Sequence, residues 1–308
     1  MTTSTSELAP AANNKARATL IGSSAIVMWG ALALLTELAG PVPPFQLTAM
    51  SFGIAFGLGS LWRVRTPSPQ QREPVPLRVW LFGTAGLFGY HAMYFVALAN
   101  APAVEASLIA YLWPLLIVLF AALLPGEKLA WFHVVGALLG FAGAVLLIVK
   151  DDISLLNSDY QLGYVAAFAC ALIWSGYSVG SRRLGNIPTE SVTGFCAVTA
   201  LLAALCHVLF ETPYLPRGWQ WLAVLGLGLG PVGAAFFTWD IGVKRGNIQL
   251  LGVLSYAAPL LSTLLLVMFG IAEPSARLGI ACLLIVGGAC VASLPQFRLA
   301  LAVWHAKQ

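Results

Sequence analysis

The chain has 308 residues, of which 59% are hydrophobic and only 9% charged, with a formal net charge of +4. A soluble domain carries about 25% charged residues, so a water-facing globule is excluded and lipid is the expected solvent. Here the net charge does not point to nucleic acid, and no nucleic-acid partner is expected; what matters is where the basic residues sit.

In chain order, residues 1–17 are rich in Thr, Ser, Ala and Asn and read as a disordered cytoplasmic tail. Lys15 and Arg17 precede the first apolar run, which carries Trp29 and Glu37 and has no small-residue cleavage pattern. It is expected to be a retained helix and not a signal peptide. A membrane helix needs about 20 apolar residues, and runs of that order lie at 18–37, 44–62, 78–99, 103–125, 131–149, 160–181, 190–210, 219–240, 247–270 and 277–295. Prolines, glycines and charges separate them, as at Pro41 to Pro44, Gly126 to Lys128 and Glu211 to Gly218. The expectation is an all-α integral membrane protein of ten transmembrane helices, with no room for an extramembrane catalytic domain. A short cytoplasmic tail, 298–308, is expected to follow.

Basic residues favour cytoplasmic loops. With the N-terminus inside, thirteen of the 16 Lys and Arg residues fall on the inner side, leaving only Lys150, Arg217 and Arg277 outside. Both termini are therefore expected in the cytoplasm, in the inner membrane of a bacterial cell.

The halves match at an offset of 145 residues: Trp29 falls on Trp174, Pro43 on Pro188, Gly83 on Gly228, Tyr111 on Tyr256 and Pro114 on Pro259. Each half holds five spans, an odd number, so the second enters the membrane from the opposite side. Residues 18–150 and 151–297 then form two inverted five-helix repeats, a plan used by secondary transporters.

With these motifs placed, the sequence resembles the EamA branch of the drug/metabolite transporter superfamily over its whole length. The resemblance rests on Trp29-Gly30 and Trp174-Ser175-Gly176, on Ala106-Ser107 with Pro114 and Gly126-Glu127, on Gly252 with Pro259, and on the spaced glycines Gly136, Gly140, Gly143, Gly279, Gly287 and Gly288. Within that family the segments Tyr90-His91-Ala92-Met93-Tyr94, Tyr111-Leu112-Trp113-Pro114 and Phe236-Phe237-Thr238-Trp239-Asp240 look most like YddG-type exporters of aromatic amino acids. The resemblance implies a ten-helix basket with a central cavity lined by these segments, and amino-acid efflux.

The residues themselves give the candidate site. Tyr90 and Tyr94 share a helix face with His91 beside them, and a histidine at membrane depth is costly unless it faces a cavity or a partner. Ser107, Tyr111 and Pro114 fall on one stripe, repeated as Gly252, Tyr256 and Pro259; Pro114 and Pro259 each free a carbonyl and permit a kink. Trp113 lies off that stripe. Trp29, Trp174, Tyr177 and Trp239 sit well inside their spans, where an aromatic box would stack on an aromatic or cationic substrate. The expected substrate-binding set is Tyr90, His91, Tyr94, Tyr111, Trp113, Trp174, Tyr177, Trp239 and Tyr256, and core packing is an equal reading of any single ring.

Glu37 and Glu105 are expected at outer, wet ends of their spans, and Asp240 beside Lys244 as an ion pair, so no carboxylate is placed as a proton carrier. The stretch Gly228 to Gly233 fits GxGxxG but follows no strand, and its glycines are expected to allow close helix contact. The five cysteines lie in apolar runs without metal-ligand spacing, so no metal or cofactor is expected. The expected partners are a small-molecule substrate and membrane lipid, and the oligomeric state is left open, a monomer being one option. The alternatives are an exporter of cationic drugs or other metabolites, an integral-membrane enzyme and a channel. The last two lack a clustered acid–base set and a continuous polar stripe respectively.

Overall fold

The computed structural model describes residues 5–66, 74–149, 158–184, 187–271 and 273–294. Among these every regular element is helical. Nine helices are long and apolar enough to cross a membrane. They are α1 (Asn13–Ala39), α2 (Pro44–Arg65), α3 (Leu77–Asn100), α4 (Ala103–Ala121), α5 (Trp131–Ile148), α6 (Gln161–Arg183), α7 (Ser191–Phe210), α8 (Trp219–Arg245) and α9 (Ile248–Met268). A shorter apolar helix of 17 residues, α10 (Ala276–Ala292), follows. Among the described residues nine of the ten expected spans are thus helices of spanning length, and the tenth coincides with a helix of only 17 residues; the tail at 298–308 lies outside the described residues. The first helix reaches back to Thr5, so residues 5–17 are helical where a disordered tail was expected; Ala9, Ala11, Ala12 and Ala16 are strong helix formers.

The helices take their ends from local chemistry. Pro44 opens α2 at a position where its missing N–H costs nothing. The Glu211 carboxylate, at the end of α7, accepts from the Phe45 and Gln46 N–H groups at 2.7 and 2.9 Å and so caps α2. Asn247 caps α9 through Leu250 N–H, and Ser275 caps α10 through Leu278 N–H. Gly270, just past the end of α9, has φ of 70°, which a side chain would strain.

Polar bonds cluster at two ends of the bundle. At the end that carries the start of α1, Glu127 pairs with Arg182 at 2.7 Å and with Lys15 at 3.7 Å. Arg182 also donates to the Gly246 carbonyl, and Lys244 pairs with Asp240 at 2.9 Å. At the other end Glu211 holds α7 to α2, Arg277 donates to the Val149 carbonyl, and Tyr164 donates to Glu105. Glu105 is only 4% exposed, so the expectation of a wet Glu105 is corrected: α6 covers it and the Tyr164 hydroxyl takes the place of water. The Asp240–Lys244 pair is as expected, with Thr189 donating a further hydrogen bond to Asp240 at 2.6 Å.

Small residues set the tightest crossings. A Cβ on Gly242 would lie 2.6 Å from the Gly22 Cα, where α8 crosses α1. A Cβ on Gly136 would lie 2.6 Å from the Gly288 carbonyl oxygen, where α5 crosses α10. Between lipid-bathed helices such close contact supplies the attraction that water supplies in soluble proteins. Leu20, Val208 and Leu283 are 74%, 76% and 76% exposed on the outside, unfavourable in water but matched to hydrocarbon.

Among the described residues five helices are interrupted: α1 at Ala31, past its middle, and four more nearer their middles. A π-helical turn occupies Ala85–Gly89 in α3 and another Gly230–Ala234 in α8. The α4 helix breaks between Ala110 and Trp113, and α9 between Leu254 and Ala257. Pro114 and Pro259 lie just past the breaks, and Pro231 sits in the second π turn; each lacks the N–H that a regular helix would use.

Gly242→Ala is expected to lower the melting temperature in detergent, because overpacking against backbone costs about 1–3 kcal/mol. Gly57→Ala, where a Cβ meets nothing within 4 Å, is expected to leave it unchanged or raise it slightly. Equal melting of both variants and the parent would show that the α1–α8 crossing is not held tight by these glycines.

Candidate functional site

The interrupted helices bring a cluster of rings together at the centre of the bundle. Trp29 of α1 lies 5.0 Å from Trp239, 5.7 Å from Trp174 and 6.0 Å from Trp113, measured between ring centroids. Trp113 and Trp174 meet edge to face at 6.3 Å, and Trp174 and Trp239 stack at 6.4 Å. Tyr177 continues from Trp174 at 5.4 Å. These contacts lie in the range where aromatic pairs attract beyond simple burial.

Trp239, Trp174, Tyr177 and Trp113 are at most 6% exposed, and form a packed floor. Trp29, Tyr90, His91, Tyr94 and Tyr111 are half-buried and form its accessible rim. Tyr90 touches Trp174 at 5.4 Å and lies parallel to Tyr94 at 6.3 Å. His91 meets Phe52 at 5.1 Å, and Phe52 stacks on Phe236 at 5.5 Å. Trp113, off the predicted stripe, is the first residue past the break in α4 and is buried among the other indoles.

The hydrogen bonds of the cluster run to neutral groups. Trp29 Nε1 donates to the Pro231 carbonyl at 3.0 Å, and Trp239 Nε1 donates to Ser178 Oγ at 3.0 Å. His91 Nδ1 lies 2.7 Å from the Leu87 carbonyl. A carbonyl only accepts, so Nδ1 carries a proton and the neutral ring leaves Nε2 as an acceptor. Tyr94 and Ser107 share a hydrogen bond at 3.0 Å. Both π turns therefore present a carbonyl to a ring N–H, and the GxGxxG-like stretch is the π turn that holds Trp29. Asp240, next to Trp239 in sequence, turns away to Thr189 and Lys244.

The structure brings together eight of the nine expected residues and separates one. Tyr90, His91, Tyr94, Tyr111, Trp113, Trp174, Tyr177 and Trp239 lie in or beside the cluster. Tyr256 does not: it belongs to a second apolar cluster with Phe141, is 0% exposed, and accepts a hydrogen bond from the Leu115 N–H at 3.1 Å. Its ring fills the space above Gly140, where a Cβ would fall within 2.5 Å of it. Phe52, Ser178 and the Pro231 carbonyl were not expected. An isolated Phe or Ser in an apolar run carries no signal of its facing, and a backbone carbonyl carries none at all. An apolar cleft of about 260 Å3 between α9 and α10 offers only the Cys290 thiol and a Ser293 hydroxyl already donated to Ala289.

The model of the EamA-like transporter family matches residues 17–149 and again residues 161–294. The chain belongs to the EamA-like transporter family. It is 57% identical to the aromatic amino acid exporter YddG of Ancylobacter novellus, over 91% of this chain and 98% of that protein. It is 27% identical to the protein of the same name from Escherichia coli K12, over 92% of this chain and 98% of that one. A solved crystal structure, 57% identical, superposes with a TM-score of 0.87 over 92% of this chain and 98% of its own. The EamA-like chain is thus a multi-pass bacterial membrane transporter and not an enzyme.

Truncating the floor is expected to unfold the protein more than it reports on substrate. Trp239→Ala should cost about 3–5 kcal/mol as a buried aromatic deletion, whereas Tyr94→Phe, at the half-buried rim, should cost about 1 kcal/mol. Thermal melts in detergent check the contrast, and a stable Trp239→Ala protein would show that the floor is not packed as described.

Proposed function

We propose that this chain is a secondary exporter that moves aromatic amino acids out of the cytoplasm by alternating access. Its ten apolar helices form two inverted five-helix repeats, 18–150 and 151–297, with both termini cytoplasmic. Three observations support the repeat independently of the residue matches. The π turns begin at Ala85 and Gly230, 145 residues apart. The breaks in α4 and α9 fall within a residue of the same offset, and the family model matches twice. The basic residues argue for termini inside.

The observation that carries the reading is a neutral aromatic site built from both halves. Trp29, Tyr90, His91, Tyr94, Tyr111 and Trp113 come from the first, and Trp174, Tyr177 and Trp239 from the second. A site shared between halves lets each rearrangement sense the same ligand. The rim presents hydroxyls and an imidazole acceptor to the amino and carboxylate groups, while indole faces take the side-chain ring. A zwitterion of zero net charge suits a site whose bonds run to neutral groups. Pro114 and Pro259 mark the kinks about which the halves of α4 and α9 move. The relatives named as aromatic amino acid exporters agree with this substrate class.

The test is uptake of phenylalanine and tryptophan into proteoliposomes, with leucine and a cationic aromatic amine as comparisons, with and without a proton gradient. Transport of the two aromatic amino acids is expected. Transport of the amine alone would replace this reading by cation export, which four indole faces also favour. His91→Ala is expected to weaken transport about five-fold, the worth of one lost ring contact or hydrogen bond of about 1 kcal/mol; parental transport at matched expression would remove His91 from the site. Cysteine labelling of the N-terminal tail and of the chain after Arg298 is expected only from the cytoplasmic side, and labelling of either from outside would sink the ten-span topology.

A further inference from the structure

Tyr256 and Tyr111 occupy equivalent places in the two halves, and the structure treats them differently. Pro114 has no N–H, and the break before it leaves the next donor, Leu115 N–H, without a helical acceptor; Tyr256 OH accepts it at 3.1 Å. Tyr256 is 0% exposed, seated against Phe141 and Gly140. The same offset of 145 residues that relates Tyr111 to Tyr256 relates Leu115 to Leu260, one residue past Pro259 in the equally broken α9. Among the described residues the Leu260 N–H has no side-chain partner, and the half-buried Tyr111 hydroxyl makes no hydrogen bond.

The helix contacts carry the same asymmetry. The second half of α4 packs on the first half of α9, and a Cβ on Gly252 would lie 3.1 Å from the Pro114 carbonyl oxygen. This contact lies at the end of the bundle that carries the start of α1. The first half of α4 packs instead on α3 and α6, and the second half of α9 on α1 and α10. The two crossings are equivalent by repeat, one is closed, and only the closed one has its tyrosine bonded across it.

We propose that Tyr256 and Tyr111 are an exchanging pair of positioning residues. In the state seen here Tyr256 caps the broken α4 through Leu115. In the oppositely open state Tyr111 caps the broken α9 through the Leu260 N–H, and Tyr256 lets go. A freed backbone donor in a water-poor site is costly, so each hydroxyl stabilises one facing state, and Tyr256, 0% exposed in this one, does not hold the substrate. Tyr256 is thereby moved from the substrate-binding set to the helix that must bend.

The proposal rests on the alternating-access reading, and the experiment separates the two. Spin labels at Lys128 and Arg245 report the end carrying the start of α1, and labels at Val104 and Phe269 report the other end, in full-length protein lacking its five native cysteines. Wild-type protein with and without phenylalanine tests alternating access: the two distance distributions should change in opposite senses. Without substrate, Tyr256→Phe keeps the ring and removes only the hydroxyl. It is expected to shift the ratio of the two facing states about five-fold toward opening at the Lys128–Arg245 end, the effect of one neutral hydrogen bond. Tyr111→Phe is expected to shift it about as far the other way. Shifts in the same direction, or unchanged distributions with only a lower melting temperature, would make Tyr256 a packing residue and overturn the exchange. Unchanged distributions with weaker phenylalanine binding by Tyr256→Phe would overturn it in favour of direct substrate contact.

Discussion

An unpaired backbone N–H or C=O in hydrocarbon costs several kcal/mol, and this bundle interrupts five of its described helices away from their ends. Side chains close part of the gap. Trp29 takes the Pro231 carbonyl, His91 takes a carbonyl of the α3 π turn, and Tyr256 takes the Leu115 N–H. The central rings are therefore chosen twice over: as an apolar surface able to stack on a flat ligand, and as donors or acceptors for backbone that a bendable helix leaves bare. Replacing such a residue by a simple hydrocarbon would fill the volume and lose the second role.

The constraint also explains how rigid and mobile parts are divided. Crossings such as Gly22 on Gly242 and Gly136 on Gly288 are backbone against backbone, and continuous helices such as α2, α5 and α7 are satisfied along their length. They form a frame. The interrupted helices α3, α4, α8 and α9 supply the segments around the ring cluster, and the breaks in α3, α4 and α8 are each held by a single side-chain bond of about 1 kcal/mol. Bonds of that size hold a conformation without locking it, as a transporter cycling between two facing states requires.

Polar closure is unequal between the two ends. The end with the start of α1 gathers Glu127, Arg182, Lys15, Asp240 and Lys244 into ion pairs that join several helices. At the other end Glu211 ties α7 to α2, and Tyr164 ties α6 to α4. Partly buried pairs of this kind contribute modestly to stability, and their loss on opening is opposed by rehydration of the charges. Within the end with the start of α1, the Asp240–Lys244 pair is itself buried, so removing either partner would leave a costly unpaired charge.

Much of this was legible in residue order. Apolar runs near 20 residues with so few charges have one favourable solvent, so the helical class and nearly all helix positions followed from composition and spacing. The match of Trp29 with Trp174 and of Tyr111 with Tyr256 is what suggests the proposed repeat, because rare residues seldom coincide by chance. Facing was not legible. In a helix apolar on every side, periodicity does not tell a lipid-facing ring from a central one, so Phe52 passed unnoticed and Trp113 stood off its stripe, although it is buried among the indoles. Glu105 read as wet because its position along the helix was visible and its neighbour Tyr164 on another helix was not. Tyr256 read as lining the substrate site because its counterpart Tyr111 lies beside the rings. Only the packing of α9 against α4 decided otherwise, since it seats the Tyr256 ring against Gly140 and its hydroxyl on the Leu115 N–H, away from the rings.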